Sequence, residues 1–339
     1  MQNLQTPNIY IRSVSNFFRH APIRVGVVLP GFILPYLRAT AVARLRVYDV
    51  IEMFVGSSDF LVELYVPWRH YDVVLFEKSF TFSALALARK LKSRGVKIIL
   101  DVNVDYFSGI TPRVTDRVRS IAHDFSLVTD AIIAPSLSLV SFMREAKIHN
   151  KIEYIPEFLP DRYFSQDEKI FSSVPKLVWC GYREKAYELM AVKKQLEYAM
   201  HKYGASLLLI SDANPKVAID SYEFIEYRER TIVSDILRAD VFIAPRYLDL
   251  AYKNHHTFTK IGLPMSIGLP VIASPVPSYL ESPAIICNDH DWGFVFDRLY
   301  SGDFDFSELA RLGQEYCARE FSWERGRRYY SELFHSILS

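Results

Sequence analysis

The run Lys253-Asn-His-His-Thr-Phe-Thr-Lys260-Ile-Gly-Leu-Pro-Met-Ser-Ile-Gly268-Leu-Pro270-Val-Ile-Ala-Ser274 concentrates groups that can handle an anion. A polar loop should turn into a helix near Thr257, stop at Gly268, and let Pro270 open a buried strand. A helix start leaves backbone N–H groups unpaired and partly positive, which favours phosphate. Lys260 falls in the first turn and adds a full charge; an exposed helix-start lysine would look the same. Gly181-Tyr-Arg183-Glu-Lys185 is a second basic group, after another apolar run. An arginine can hold two phosphate oxygens at once, although Arg183, Glu184 and Lys185 also read as a solvated charge cluster. His255 and His256 are adjacent, point in different directions, and suit either an anion or solvent. Asp101, Asn103 and Asp105 form an acidic run, read as a substrate-side cluster with a DxD-like metal site as the rival. Pro30-Gly31-Phe32 ends the first apolar run, where a glycine lets backbone approach a ligand or simply makes a turn.

These groups need a scaffold that brings loops together, and the hydropathy pattern supplies one. Short apolar runs at 23–29, 72–76, 96–100, 131–134 and 151–155 alternate with helical stretches near 40–54, 82–94, 114–129 and 136–144. That rhythm is the mark of a parallel, doubly wound sheet. It lapses over 157–175, rich in Pro, Ser and Asp, and then restarts. Strands are expected at 176–180, 206–210, 222–226, 241–244 and 271–273, with helices near 187–203, 232–238 and 257–267. The segment 307–339 reads as helical. The expected organisation is a Rossmann-like domain over 1–160, a second over 175–315, and a C-terminal helix over 316–339 that packs back toward the first. Ligands in such sheets sit outside the carboxyl ends of the strands, so the two sheets are expected to face a common cleft.

The chain has 339 residues, enough for about two domains, and is 50% hydrophobic with a formal charge of +1. That composition excludes a disordered chain and gives no strongly basic face for nucleic acid. Cys180, Cys287 and Cys317 are widely spaced and odd in number, which argues against a disulfide framework and for a cytoplasmic, reducing setting. The longest apolar run, 25–37, is too short to span a bilayer. Ile9, Ile11, Val14, Phe17 and Phe18 mix with Arg12 and Arg19, as in an interfacial helix or an extension packed on its own domain. The basic run Arg89, Lys90, Lys92, Arg94 and Lys97 suits the inner face of a membrane, but cations also favour a helix C-terminus. The dinucleotide, P-loop, zinc-protease and serine-hydrolase motifs are absent.

Lys260 followed by Gly268-Leu-Pro270-Val-Ile-Ala-Ser274 resembles the donor segment of retaining glycosyltransferases of the GT-B fold, the group 1 or family 4 type. The Ser-Pro-Val-Pro-Ser-Tyr279 continuation is similar to a subset that builds bacterial polysaccharides. Ala41-Val-Ala-Arg44-Leu-Arg46 resembles that subset's S-x-R-x-R segment. Asp101-Val-Asn-Val-Asp105-Tyr-Phe107 resembles its acidic run, Asp130-Ala-Ile-Ile-Ala-Pro-Ser136 its fourth strand, and Ile155-Pro156 its I-P-N turn. Phe321-Ser-Trp323 resembles its F-x-W motif.

The resemblance implies an α/β, GT-B protein that moves a hexose from a nucleotide sugar to a glycan or lipid-linked acceptor, with retention, in surface polysaccharide synthesis. It implies no metal and no cofactor beyond the donor, and peripheral membrane contact. Lys260 and Arg183 would be catalytic. Lys185, Thr257, Thr259, Tyr227, His256 and Ser274 would hold the donor, with Tyr227 on the base. Gly31, Phe32, Asp101 and Asp105 would lie on the acceptor side. The group's ribose-holding glutamate is Leu263 here, and its I-P-N asparagine is Glu157. A catalytically degenerate module that binds a glycan or nucleotide is the alternative, and a sugar-nucleotide epimerase a minor one.

Overall fold

The computed structural model describes residues 22–29, 43–112, 114–164, 169–249 and 251–339. The expected interfacial segment near the N-terminus lies outside them, as do Gly31, Phe32 and Ala41. Two compact units divide the described chain. One holds residues up to Phe158 together with Trp323–Ser339; the other is Leu159–Ser322.

The first unit is one parallel sheet of β1 (Ile23–Val28), β2 (Phe60–Leu64), β3 (Val73–Glu77), β4 (Lys97–Asp101), β5 (Ala131–Ala134) and β6 (Ile152–Tyr154). Its order is β2-β1-β3-β4-β5-β6. Helices α1 (Asp49–Met53), α2 (Phe82–Lys92), α3 (Asp116–Ser126) and α4 (Leu137–Glu145) cross between strands. Thr81, Thr115 and Ser136 cap α2, α3 and α4 by accepting N–H bonds from Ala84, Val118 and Leu139, as short hydroxyl side chains do at helix starts. Strands β3, β4 and β5 are buried on both faces, which explains their unbroken apolar runs.

Two departures stand out. The helix expected over 40–54 begins, in its described part, as a π-helical turn, Arg44–Tyr48, running into α1. Strand β2 was not anticipated, because Glu63 interrupts its apolar pattern. That carboxylate is buried and pairs with Arg69.

The second unit is a parallel sheet of β7 (Leu177–Cys180), β8 (Leu207–Ser211), β9 (Glu223–Glu226), β10 (Val241–Ala244), β11 (Val271–Ala273) and β12 (Ile285–Ile286), in the order β12-β11-β10-β7-β8-β9. Its helices are α5 (Lys193–Tyr203), α6 (Ile232–Ile236), α7 (Thr259–Ser266), α8 (Trp292–Ser301) and α9 (Phe306–Phe321). The long helix expected from 187 is a 3-10 segment, Arg183–Val192, before α5 begins. Where a single C-terminal helix was expected over 316–339, the chain breaks at Ser322, which is extended. Residues 316–321 therefore finish α9 in the second unit. Helix α10 (Trp323–Leu338) belongs to the first, where Tyr330, Leu333, Phe334 and Ile337 join the core around Val25, Val47 and Phe60.

Gly326 sits where α10 meets Phe158 and Met53. A Cβ there would lie 2.8 Å from the Phe158 ring and 2.5 Å from the Met53 sulfur. Gly326→Ala should cost about 1–3 kcal/mol from overpacking, read as a lower midpoint in urea melts. An unchanged midpoint would mean that the contact is slack.

Candidate functional site

A doubly wound sheet binds ligands outside its strand ends, at the point where strand order reverses. In the second unit the chain runs β7-β8-β9 in one direction and then returns to place β10 on the other side of β7. The reversal lies between β7 and β10. Cys180 and Gly181 end β7; Ala244, Pro245 and Arg246 end β10.

Lys260 reaches this point from the first turn of α7. Its ammonium donates to the Cys180 carbonyl. It stands 4.5 Å from the Trp179 ring centroid and 5.6 Å from that of Phe242, in cation–π range. Gly181 permits this: a Cβ there would be 2.9 Å from the Trp179 ring and 3.1 Å from the ammonium. No side chain caps the N-terminus of α7. Burial, with the charges of Arg246 and Lys185 beside it, pushes the Lys260 ammonium down to about 7.

Arg246 is buried and held from several sides. Its guanidinium donates to Glu188 at 2.7 and 2.8 Å. Its backbone N–H donates to Ser274 Oγ at 2.9 Å. Among the described residues its Nε has no hydrogen-bond partner. Lys253 is also buried; its ammonium meets Asp249 at 3.2 Å and lies 5.2 Å from the Tyr247 ring, which stacks on Tyr187. His256 lies in the field of all of these. Burial first, then Arg246, Lys185, Lys260 and Lys253, pushes its imidazole down to about 2 and keeps it neutral. Four cations thus share one corner, with Glu188 and Asp249 bonded to two of them. Clustered charge of one sign raises the local potential that an anion would meet.

The other sequence candidates take varied places. Arg183 is exposed and opens the 3-10 segment, where its backbone N–H donates to Asp212 at 2.6 Å. Lys185 is exposed but acts on Lys260 and His256 through its charge. Thr257 and Thr259 are half-buried at the start of α7, and His256 is tied there by Ser278 Oγ, which donates to its carbonyl at 2.8 Å. Tyr227 packs half-buried against the core of its unit. Ser274 is buried, and its hydroxyl accepts from the Arg246 backbone N–H. Leu263 packs against the same core.

In the first unit, Asp101 and Asp105 are both engaged inside the protein. Asp101 is buried, and Arg46 from the π-helical turn holds both its oxygens, at 2.7 and 2.9 Å. Arg46 also donates to the carbonyls of Ile155 and Pro156. Asp105 folds its own loop, accepting from the backbone N–H groups of Phe107 and Ser108 and from the Ser108 hydroxyl. Asn103 accepts from Tyr106 Oη at 2.9 Å. These carboxylates accept hydrogen bonds inside the protein and position the loops.

No protein-family model matches this sequence, and no curated protein is similar to it. Solved structures do match. The glycosyltransferase of Rickettsia africae superimposes with a TM-score of 0.67 at 13% identity, over 94% of this chain and 100% of that one. HepE of Anabaena, solved with UDP-glucose, gives 0.64 at 10% identity, over 93% and 100%. TarM gives 0.61 at 10% identity, over 77% of this chain; the match spans 54%, about half, of TarM's own length.

The chain has the GT-B fold.

Within that fold, sequence reasoning missed Arg246, Lys253 and Glu188. Arg246 had a usable signal, since a charged residue directly past an apolar run is where a strand-end ligand would be met. Lys253 lay inside the quoted run but was passed over as loop. Glu188 pairs with Arg246 across 58 positions, and no spacing rule reaches so far. The basic run on α2 is partly neutralised, Arg89 by Asp124 and Lys92 by Asp130. Among the described residues, no helix is long and apolar enough to cross a membrane.

An ordinary lysine keeps its proton to about 10.4, whereas Lys260 loses it near 7. Between those values the unfolded chain binds more protons, so this group makes stability rise with pH. Lys260→Met should abolish that rise in melting temperature between pH 7 and 10 and leave the variant more stable at pH 7. Parallel pH curves for the two proteins would show that the ammonium is not confined.

Proposed function

We propose that this protein is a glycosyltransferase that takes a nucleotide-diphosphate sugar in its second unit. The convergence of Lys260, Arg246, Lys253 and Lys185 around His256, at the strand reversal and the N-terminus of α7, carries this reading. A diphosphate brings the charge that this corner lacks. The bond from the sugar's anomeric carbon to the phosphate breaks, a bond to an acceptor oxygen forms, and the acceptor's proton ends on the departing phosphate. Positive charge aimed at that phosphate is the largest aid the protein can give. Here Lys260 and Arg246 supply it, with Glu188 and Ser274 holding Arg246 in place. The cations do the work that a divalent ion does in other transferases, which supports a metal-independent reaction.

HepE was solved with UDP-glucose, which makes a UDP-hexose the first donor to try. Retention of configuration, a role in surface polysaccharide synthesis in the cytoplasm, and peripheral membrane contact rest on the sequence resemblance. Leu263 favours the second reading, a module that binds nucleotide or glycan without transfer. Calorimetry and turnover distinguish the two, because the module binds nucleotide and releases none from a nucleotide sugar.

The first test is a thermal-shift screen of UDP, GDP, CDP and dTDP, since a ligand of the folded state raises its melting temperature. At least one should stabilise the protein. Lys260→Ala should lower turnover of that nucleotide's sugar by ~100-fold. Affinity should also fall as pH rises from 7.5 to 9, because the bound diphosphate needs Lys260 charged and must then draw a proton from solution, at a cost of up to about tenfold per pH unit. Wild-type turnover in the variant, or an affinity flat with pH, would remove Lys260 from the site.

A further inference from the structure

In the first unit the strand order reverses between β1 and β3. The residues directly past β3 are therefore where this sheet would bind a ligand. Glu77 ends β3, in register with Asp101 on β4, and Lys78 follows. Glu77 is 1% exposed, yet among the described residues its Oε2 has no hydrogen-bond partner. Its Oε1 meets the Lys78 ammonium, at 3.5 Å, and Lys78 retains 23% of its side-chain exposure. A buried carboxyl oxygen left without a partner costs about 1–3 kcal/mol unless something else bonds it. No hydrogen bond joins it to Asp101, whose oxygens accept from Arg46. Beside the pair stand two half-buried rings, Phe80 and Tyr106, with centroids 4.4 Å apart, and Tyr106 lies in the field of Glu77.

We propose that Glu77 and Lys78 form a hydroxyl-binding subsite for a hexopyranoside, which is the acceptor sugar if the transferase reading holds. The inference rests on that reading for the ligand's role, and on the unit's own geometry for its place. A sugar hydroxyl both donates and accepts, and the ring's C–H face suits an aromatic surface. A few polar groups set among apolar ones are how small-ligand sites fix orientation. Burial first, then the neighbouring charge of Asp101, with Lys78 and Arg46 opposing, pushes the Glu77 carboxyl up to about 7. Below that pH it is a neutral acid, able to give a hydrogen bond to a hydroxyl oxygen as well as to accept one.

The backbone at Lys78 has φ of +30°, a conformation that glycine adopts more readily than lysine. Lys78→Gly should therefore relieve strain and raise the melting temperature while removing one donor from the subsite.

Saturation-transfer NMR with methyl α-D-glucopyranoside and methyl α-D-galactopyranoside tests the proposal on the full chain. At pH 6 the wild-type protein should bind at least one of them. Glu77→Leu should weaken that binding by about tenfold or more, the loss of one or two hydrogen bonds, while melting no lower than wild type because an unsatisfied polar atom is gone. Glu77→Gln, which can also donate and accept, should restore binding. Glu77→Gln should also hold the affinity level from pH 6 to 8, where the wild type weakens as its carboxyl ionises. Lys78→Gly should melt higher and bind more weakly. UDP stabilisation should be the same in all four proteins. Absence of a glycoside signal from a wild-type protein that still binds UDP would overturn the subsite alone, as would wild-type binding by Glu77→Leu. A wild-type protein that binds neither UDP nor glycoside would bring down the transferase reading and the subsite with it.

Discussion

Like charges confined at one end of a sheet are the constraint on which the second unit is built. Lys260, Arg246 and Lys253 are each drawn out of water, and each is given something in exchange: the Cys180 carbonyl and Trp179 face, Glu188, and Asp249 with its tyrosine pair. These partners are too few to neutralise the corner, and the consequence is visible in His256 and Lys260, both pushed toward their uncharged forms. A protein that only needed to fold would not keep such a cluster, because apolar residues of similar volume would be at least as stable. The arrangement makes sense when an anion completes it.

The first unit solves the opposite problem. Its buried groups include Glu77, Asp101 and Glu157, against Arg46 and the partly exposed Lys78. Arg46 ties the π-helical turn to β4 and to the chain after β6, so one guanidinium joins three parts of the unit. Asp101 is thereby engaged in structure, and Glu77, which no arginine bonds among the described residues, is pushed toward its neutral form by burial. The two sheets differ in strand order, but each reverses direction beside its first strand, where one collects positive charge and the other carboxyl groups.

Much of this was legible in the sequence, for reasons that can be stated. Strands such as Val73–Glu77 and Leu207–Ser211 are buried on both faces, so they print themselves as apolar runs, and Gly204 and Gly268 mark helix ends through their left-handed backbones. Lys260 was found because a helix start is a local feature. Strand β2 was not, because its pattern is broken by Glu63, a charge whose partner lies outside the strand. The partners of Asp101 and Asp105 were not legible, because an acidic run looks the same whether its oxygens face solvent or bond to Arg46 and to the 105–108 turn. Arg246 and Glu188 meet only through folding, and Glu77 attracts notice only once its missing partner is known.

A crystal structure with UDP bound tests the central claim most directly. The account places the two phosphates at the N-terminus of α7, within hydrogen-bond reach of Lys260 and of the Arg246 guanidinium, with His256 beside them. Phosphates bound elsewhere, with Lys260 still turned onto the Cys180 carbonyl and Arg246 touching only Glu188, would contradict it.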